Sequence, residues 1–142
     1  MKIALASDHG GLDYKNKIIE HLKNNGHETF DCGTNSLDSC HYPIFAKKAC
    51  EMLVNHQVDR VILVCTTGEG VCMAANRFKG VRCGVGYNDE VVSLMRHHND
   101  ANAISFGQKF MKLDEVLRRV DIFLNTPFDA GRHLTRIQMI EQ

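Results

Sequence analysis

One segment of the sequence combines a cysteine, two threonines and two glycines in a way that could support acid–base chemistry. It reads CTTGEG, runs from Cys65 to Gly70, and directly follows the most apolar stretch of the chain. A helix that begins a few residues later would place free N–H groups and partial positive charge beside the sulfur. That position favours a thiolate, and the same N–H groups could hold a developing oxyanion. A buried cysteine at the end of a strand, beside a tight turn, fits the spacing equally well.

Three further groups of residues could bind a ligand or move a proton. Asp8-His9 is a short acidic–imidazole pair, and His97–Asp100 carries two histidines and an asparagine. Arg132 and Arg136 are four residues apart, so on a helix both guanidinium groups share one face and could clamp a phosphate. Taken alone, each group also has a simpler structural interpretation, as a turn, a capped helix end or a solvated basic surface.

The cysteines and glycines do not form other familiar sites. None of the six cysteines forms a CxxC pair, which disfavours a thiol redox protein and a structural zinc site, so we expect reduced thiols. No Gly-Lys-Ser/Thr loop occurs, and Val71 stands where a CxxxxxR phosphatase loop needs arginine. The Gly84–Gly86 segment lacks the third glycine of a dinucleotide-binding motif.

Composition limits the broad class of protein. The chain has 142 residues, with 17 basic and 17 acidic side chains, and 44% of its residues are hydrophobic. Zero net charge argues against a nucleic-acid-binding protein, and no apolar run is long enough to cross a membrane. The N-terminal segment meets Asp8 and His9 too early for a signal peptide, so we expect a cytosolic protein.

Short apolar runs alternate with amphipathic stretches along the chain, which predicts strands and helices in turn. The predicted strands are Lys2–Ser7, Glu28–Cys32, Asp59–Cys65, Val81–Gly86 and Asn102–Phe106. The predicted helices are Leu12–Asn25, Pro43–His56, Val71–Phe78, Asp89–His98, Lys112–Asn125 and Gly131–Glu141. This order predicts an α/β protein with a three-layer α/β/α, Rossmann-like fold and a five-stranded parallel sheet, formed by residues 1–142 as one domain.

Ligands of such folds bind beyond the carboxyl ends of the strands. The segments that follow the predicted strands are polar and rich in glycine, and they are Asp8–Gly11, Gly33-Thr34, Cys65–Gly70, Tyr87–Asp89 and Gly107–Lys109. The sequence therefore predicts a functional site at this edge of the sheet.

Five stretches together resemble the ribose-5-phosphate isomerase type B family, which also includes galactose- and allose-phosphate isomerases. They occur in the family's order along the whole chain, and they are SDHGG (Ser7–Gly11), HYP (His41–Pro43), CTTGEGVCMAANRF (Cys65–Phe78), RHHNDANAISFG (Arg96–Gly107) and AGRHLTR (Ala130–Arg136). The combination is highly specific, although each stretch alone is weak. The resemblance implies an aldose–ketose isomerase of a phosphorylated sugar that works through a cis-enediolate, without a metal or an organic cofactor.

The resemblance also implies the roles of individual residues in proton transfer. Cys65 matches the base, whereas some members have a glutamate at the position of Val71. Thr67 matches the threonine that helps to move a proton between the two oxygens. Backbone N–H groups near Thr66, Gly68 and Gly70 would stabilise the enediolate oxygen.

The remaining matched positions would open the sugar ring and bind the substrate. His98 matches the histidine that opens the furanose ring, with Asp8 as its partner. The substrate-binding positions of the family match Asn99, Tyr42, His9, Arg132, Arg136 and Lys109. Family members are dimers whose sites use residues of both chains, and some assemble into tetramers, so His98 would serve the neighbour's Cys65.

The resulting hypothesis is a cytosolic homodimer that interconverts ribose 5-phosphate and ribulose 5-phosphate. Two alternatives stay open: a six-carbon substrate such as allose or galactose 6-phosphate, and a non-catalytic protein that binds a sugar phosphate. The second is suggested by two departures from the family's C-G-T-G-x-G loop, Thr66 and Glu69. Thr66 would be strained if its backbone needed a positive φ, and an inward Glu69 would repel phosphate.

Overall fold

The computed structural model describes residues 1–142, in which strands and helices alternate along the chain. The strands are β1 (Lys2–Ser7), β2 (Glu28–Asp31), β3 (Arg60–Cys65), β4 (Cys83–Val85) and β5 (Ala103–Gly107). The helices are α1 (Leu12–Asn24), α2 (Tyr42–Val54), α3 (Glu69–Ala75), α4 (Asp89–His97), α5 (Leu113–Asn125) and α6 (Arg132–Ile140). A 3₁₀ turn, His9–Gly11, precedes α1.

The predicted elements are all present, and their bounds differ from the prediction by at most three residues. Helix α2 ends at Val54, before the expected His56, because His56 has a φ of 58° and lies in the left-handed region. Helix α3 begins at Glu69, before the expected Val71, because Gly68 turns the chain directly into the helix with a φ of 83°.

The sheet is parallel throughout, with the strand order β2-β1-β3-β5-β4. From β1 the chain adds β2 on one side, and then returns to add β3, β4 and β5 on the other side. The strand order therefore reverses between the neighbouring strands β1 and β3. The register aligns their carboxyl ends, since Ser7 pairs with Val64 and Cys65 pairs with Gly107 of β5. In folds of this kind ligands bind where the loops after such strands diverge to opposite faces, so a binding site is expected at this edge.

Two hydrophobic cores cover the two faces of the sheet and confirm the three-layer α/β/α fold. On one face α1, α4 and α5 pack on side chains such as Ile62, Ile104 and Phe106. On the other face α2 and α3 pack on a set that includes Leu63 and Cys65. No helix combines the length and the apolar character that crossing a bilayer requires.

Candidate active site

Cys65 ends the central strand β3 and is 5% exposed. Its Sγ accepts a hydrogen bond from the Gly68 amide over 3.1 Å. Gly68 has to be glycine, because its φ is 83° and a Cβ there would lie 2.9 Å from the carbonyl carbon of Phe106. The tight turn therefore holds the sulfur below the start of α3 and supplies it with an N–H donor.

The Gly68 hydrogen bond changes one expectation about the backbone donors. The Gly68 amide was expected to face an enediolate oxygen, but in this structure it donates to the sulfur of Cys65. The amides of Thr66 and Gly70 donate a hydrogen bond to no backbone carbonyl of the chain. Of the three expected amides, these two therefore remain available to an oxyanion.

The two threonines of the loop are exposed and differ in their surroundings. Thr67 Oγ1 accepts a hydrogen bond from the Glu69 amide over 3.1 Å, which leaves the hydroxyl hydrogen free to donate elsewhere. The Thr66 carbonyl accepts from the Lys109 amide over 3.2 Å, so the loops after β3 and β5 are joined. Thr66 does not have a positive φ, and the strain that a β-branched residue would suffer there is absent. Glu69 is exposed as the first residue of α3.

Asp8 and His9 approach the same crevice from the end of β1. Asp8 is 7% exposed, and its Oδ1 accepts the Gly10 amide over 2.9 Å, which caps the 3₁₀ turn. The Cys40 amide lies 3.3 Å from Nδ1 of His9. Because a backbone amide can only donate, Nδ1 carries no hydrogen, and Nε2–H is the donor that His9 presents to a ligand.

Tyr42 covers the start of α3 from the opposite side of the crevice. It is the first residue of α2 and 37% exposed. A Cβ on Gly70 would lie 2.7 Å from Cζ of Tyr42, so the ring packs against α3 only because residue 70 is glycine. The carboxyl edge of the sheet thus brings together nine of the predicted residues: Asp8, His9, Tyr42, Cys65, Thr66, Thr67, Gly68, Gly70 and Lys109.

The other four predicted residues, His98, Asn99, Arg132 and Arg136, lie at the opposite edge. Helix α4 begins after the carboxyl end of β4 and runs back for nine residues, or about 13 Å. The Asn99 carbonyl accepts from Nε of Arg82, the residue before β4, over 3.1 Å. Within one chain His98 is therefore remote from Asp8 and Cys65, and the expected pairing of His98 with Asp8 can occur only between two chains.

The residues at the amino edge form a cluster of their own. The rings of His98 and His133 are stacked, with centroids 4.3 Å apart and planes 13° apart. Burial, together with the neighbouring His98, Arg132 and Arg136, lowers the pKa of His133. A neutral imidazole stacked on His98 is consistent with these surroundings.

Sequence reasoning missed the contacts that hold this cluster. Nδ1 of His97 lies 2.7 Å from Oδ1 of Asp129, a residue 32 positions away. His133, the stacking partner of His98, has no role in the interpretation of the sequence. No periodicity in the sequence links these positions, because the contacts join the end of one helix to the loop before another.

Two further thiols, Cys72 on α3 and Cys83 on β4, are neighbours. Cys72 Sγ lies 3.4 Å from the carbonyl oxygen of Cys83. A hydrogen bond from the Cys83 side chain, with smaller contributions from Ser105 and Asn76, lowers the pKa of Cys72 to about 7. Burial raises the pKa of Cys50, on α2, to about 12.

Comparison with known proteins agrees with this arrangement over the whole chain. The family model described as Ribose/Galactose Isomerase matches residues 3–140. The chain is 37% identical over 139 residues to ribose-5-phosphate isomerase B of Escherichia coli K12, covering 98% of this chain and 93% of that protein. It is 38% identical over 144 residues to a Bacillus subtilis protein named only as a sugar phosphate isomerase, covering 99% and 95% of the two chains.

Solved structures show the same similarity. The crystal structure of a ribose 5-phosphate isomerase from Thermotoga maritima has a TM-score of 0.97 and 39% identity, covering 99% of this chain and 97% of that one. Ribose-5-phosphate isomerase B from Mycoplasma genitalium, solved with bound ribulose 5-phosphate, has a TM-score of 0.94 and 39% identity, covering 99% and 93%. With a family model that matches nearly every residue and relatives well above 30% identity, this chain belongs to the ribose/galactose isomerase family.

Proposed function

We propose that this chain is an aldose–ketose isomerase that interconverts ribose 5-phosphate and ribulose 5-phosphate. The observation that carries the proposal is the Cys65 thiol, held at the open end of β3 by the Gly68 amide over 3.1 Å. It stands in a chain that is similar along its whole length to proteins named ribose-5-phosphate isomerase B. The Mycoplasma genitalium relative has bound ribulose 5-phosphate, which supports a five-carbon substrate.

In the proposed reaction the Cys65 thiolate removes the proton from C2 of the open-chain aldose. The electron pair of that C–H bond forms the C1–C2 double bond, and the carbonyl electrons of C1 move to O1, which gives the cis-enediolate. The Thr67 hydroxyl passes a proton from O2 to O1, and the Cys65 thiol returns its proton to C1 as the carbonyl forms at C2. Val71 is buried and apolar, so Cys65 is the only one of the two family base positions with a proton-accepting side chain.

Backbone and side-chain donors at the carboxyl edge would stabilise the intermediate and bind the phosphate. The amides of Thr66 and Gly70 would donate to the enediolate oxygen. His9, through Nε2–H, and Lys109 would contact the phosphate, and Tyr42 would pack on the sugar. Asp8, at the end of β1, would orient the histidine that opens the ring.

The proposed active site needs two chains. His98 and Asn99 are at the amino edge of the sheet, together with Arg132 and Arg136, so they would reach a neighbour's Cys65 and not their own. We therefore propose a cytoplasmic homodimer whose two sites each combine the carboxyl edge of one chain with the amino edge of the other, with tetramers as a further assembly. His98 would protonate the ring oxygen of the furanose, and the arginines would complete the phosphate site.

A coupled assay of the purified chain tests the proposal. We expect turnover of ribose 5-phosphate with a kcat/KM at least about tenfold above that for allose or galactose 6-phosphate, and no effect of a chelator. Preference for a six-carbon sugar would favour the first alternative, and binding of ribose 5-phosphate without turnover would favour a non-catalytic protein. Loss of activity with the chelator would overturn the metal-independent mechanism.

A further inference from the structure

The segment that connects α5 to α6 is fixed to the end of α4 by three hydrogen bonds. Nε of Arg96, a buried residue, donates to the Thr126 carbonyl over 3.1 Å. The Asp129 amide donates to the His97 carbonyl over 3.1 Å. Nδ1 of His97 lies 2.7 Å from Oδ1 of Asp129, and because a carboxylate only accepts, Nδ1 is the donor.

Asp129 is the last fixed point before the chain reverses into α6. Ala130 and Gly131 follow with φ values of 58° and 59°, and α6 starts at Arg132. One residue further on, His133 stacks on His98 with centroids 4.3 Å apart. The position of Asp129 therefore determines where the first turn of α6 lies relative to His98.

The two ends of α6 are anchored independently. At its C-terminal end Glu141 accepts from Nη1 of Arg82 over 2.7 Å, and Ile137 is buried against the body of the protein. Loss of the Asp129 contact would thus free the end that carries Arg132 and His133, while the rest of the helix stays docked. Such a change would affect the geometry of the site more than the stability of the fold.

We propose that Asp129 and His97 form a positioning pair, which holds the first turn of α6 against His98 and so preorganises the half of the active site that one chain contributes to the other. The inference rests on the proposed function, because it assigns this pair to the ring-opening and phosphate-binding half of that site. Neither residue contacts the substrate: Asp129 acts through the backbone of α6, and His97 acts through Asp129. Preorganised donors bind an anion more tightly because less conformational freedom is lost on binding.

A matched pair of variants of the full chain tests this role. Asp121 on α5 contacts His21 on α1 over 2.8 Å, so Asp121→Ala removes the same type of carboxylate–imidazole hydrogen bond far from α6. We expect Asp129→Ala to raise KM for ribose 5-phosphate, and the inhibition constant of inorganic phosphate, by about tenfold to a hundredfold. Asp121→Ala should leave both constants within about twofold of the wild type.

A second set of variants separates the hydrogen bond from the ring of His97. The side-chain amide nitrogen of His97→Asn lies close to the place of Nδ1, so this variant should retain most of the activity. His97→Leu keeps a side chain of similar bulk without the hydrogen-bond donor, so it should show the same defects as Asp129→Ala. If Asp129→Ala does not fold, His97→Leu provides the test in its place. Equal defects in His97→Asn and His97→Leu would overturn the proposal.

Nuclear magnetic resonance of the histidine rings gives a readout that does not depend on turnover. The stacked His133 ring should shift the His98 ring protons upfield, and His133→Ala identifies that shift by removing it. The shift should be lost in Asp129→Ala and kept in Asp121→Ala. If wild-type protein fails to isomerise ribose 5-phosphate, the proposed function falls, whereas the ring-shift measurement, which needs no turnover, still decides the positioning role. An Asp129→Ala variant with unchanged phosphate inhibition and an unchanged His98 signal would refute it.

Discussion

His98 lies at the opposite edge of the parallel sheet from Cys65, although the resemblance to the isomerase family implies that both residues act in the same reaction. Cys65 pairs with Gly107 at the carboxyl ends of β3 and β5, and His98 follows the last residue of α4 at the amino ends. A dimer with twofold symmetry can bring the two residues together, because the same surface of each chain then meets its counterpart. The oligomeric arrangement is therefore testable through activity alone.

Mixing two inactive variants should restore activity if the sites are shared. Cys65→Ala and His98→Asn chains that are unfolded together and refolded at equal concentration form mixed dimers as half of the population. Each mixed dimer has one intact site, so we expect about a quarter of wild-type activity. If His98 served its own chain, every site would lack one of the two residues, and activity would stay at the level of the separate variants.

Cys65→Ala should abolish isomerisation and leave the fold intact. General acid–base groups contribute about 10² to 10⁴ in rate, so a loss of at least a hundredfold in kcat is expected. The side chain is small and stands at the end of a strand, so the melting temperature should fall by only a few degrees. Circular dichroism and a coupled assay measure the two quantities. Full residual activity in a folded variant would reject Cys65 as the base.

His98→Asn should separate ring opening from proton transfer. If His98 protonates the furanose ring oxygen, the variant loses far more rate with ribose 5-phosphate than with an analogue that cannot cyclise. A four-carbon aldose phosphate, which is too short to close a furanose through its phosphorylated terminus, provides that comparison. Equal losses with both compounds would contradict the ring-opening role and would assign His98 to binding.

Much of this arrangement could be predicted from the sequence because its signals are local. The apolar run that ends at Cys65 predicts a buried central strand, and the glycines at 68 and 70 predict the close turn that the structure contains. Parallel strands then bring separate loops to one edge, which is how Asp8, Cys65 and Lys109 could be grouped without a structure. A resemblance along the whole chain supplied the roles of these residues.

The contacts between distant elements could not be predicted in the same way. The stacking of His98 on His133 and the pairing of His97 with Asp129 depend on how α6 crosses the end of α4. That crossing is determined by the left-handed backbone at Ala130 and Gly131, and alanine gives no sequence signal for such a conformation. The engagement of the Gly68 amide with Sγ was missed for a related reason, since the spacing predicts nearby donors but not which acceptor each one chooses.

Cys72 should be the thiol that reacts fastest near neutral pH. The hydrogen bond from Cys83 lowers the pKa of Cys72 to about 7, so its thiolate fraction rises most steeply between about pH 6 and pH 8. Iodoacetamide labelling, followed by peptide mass spectrometry, should show a rate that increases through this range and then levels off. Cys50, whose pKa is raised to about 12, serves as the internal control and should stay unlabelled.

A Cys83→Ala variant checks the cause of this reactivity. It removes the donor to Cys72, so the midpoint of the labelling profile should move to higher pH. An unchanged midpoint would mean that other neighbours set the reactivity of Cys72. Cys72→Ser should retain isomerase activity, which allows inhibition by thiol reagents to be assigned to Cys65 or to Cys72.

The stabilising contribution of Asp89 to the fold should be lost in acid. Hydrogen bonds from Arg118 and Arg119, 2.8 and 2.9 Å from its carboxylate, lower the pKa of Asp89 below its ordinary value of 3.8. A carboxyl whose pKa is lower in the folded state stabilises the fold above the ordinary pKa, and this contribution disappears as the pH falls through the lowered one. Asp89→Asn should therefore reduce the melting temperature at pH 7, and the difference from wild type should shrink as the pH falls below about 4.

Asp13→Asn is the matched control, because Asp13 is an exposed first-turn residue of α1 outside any ion pair. Its melting temperature should differ little from that of the wild type at either pH. A difference for Asp89→Asn that stays constant down to pH 2 would show that the loss does not come from the ionised carboxylate, because the carboxylate titrates in that range.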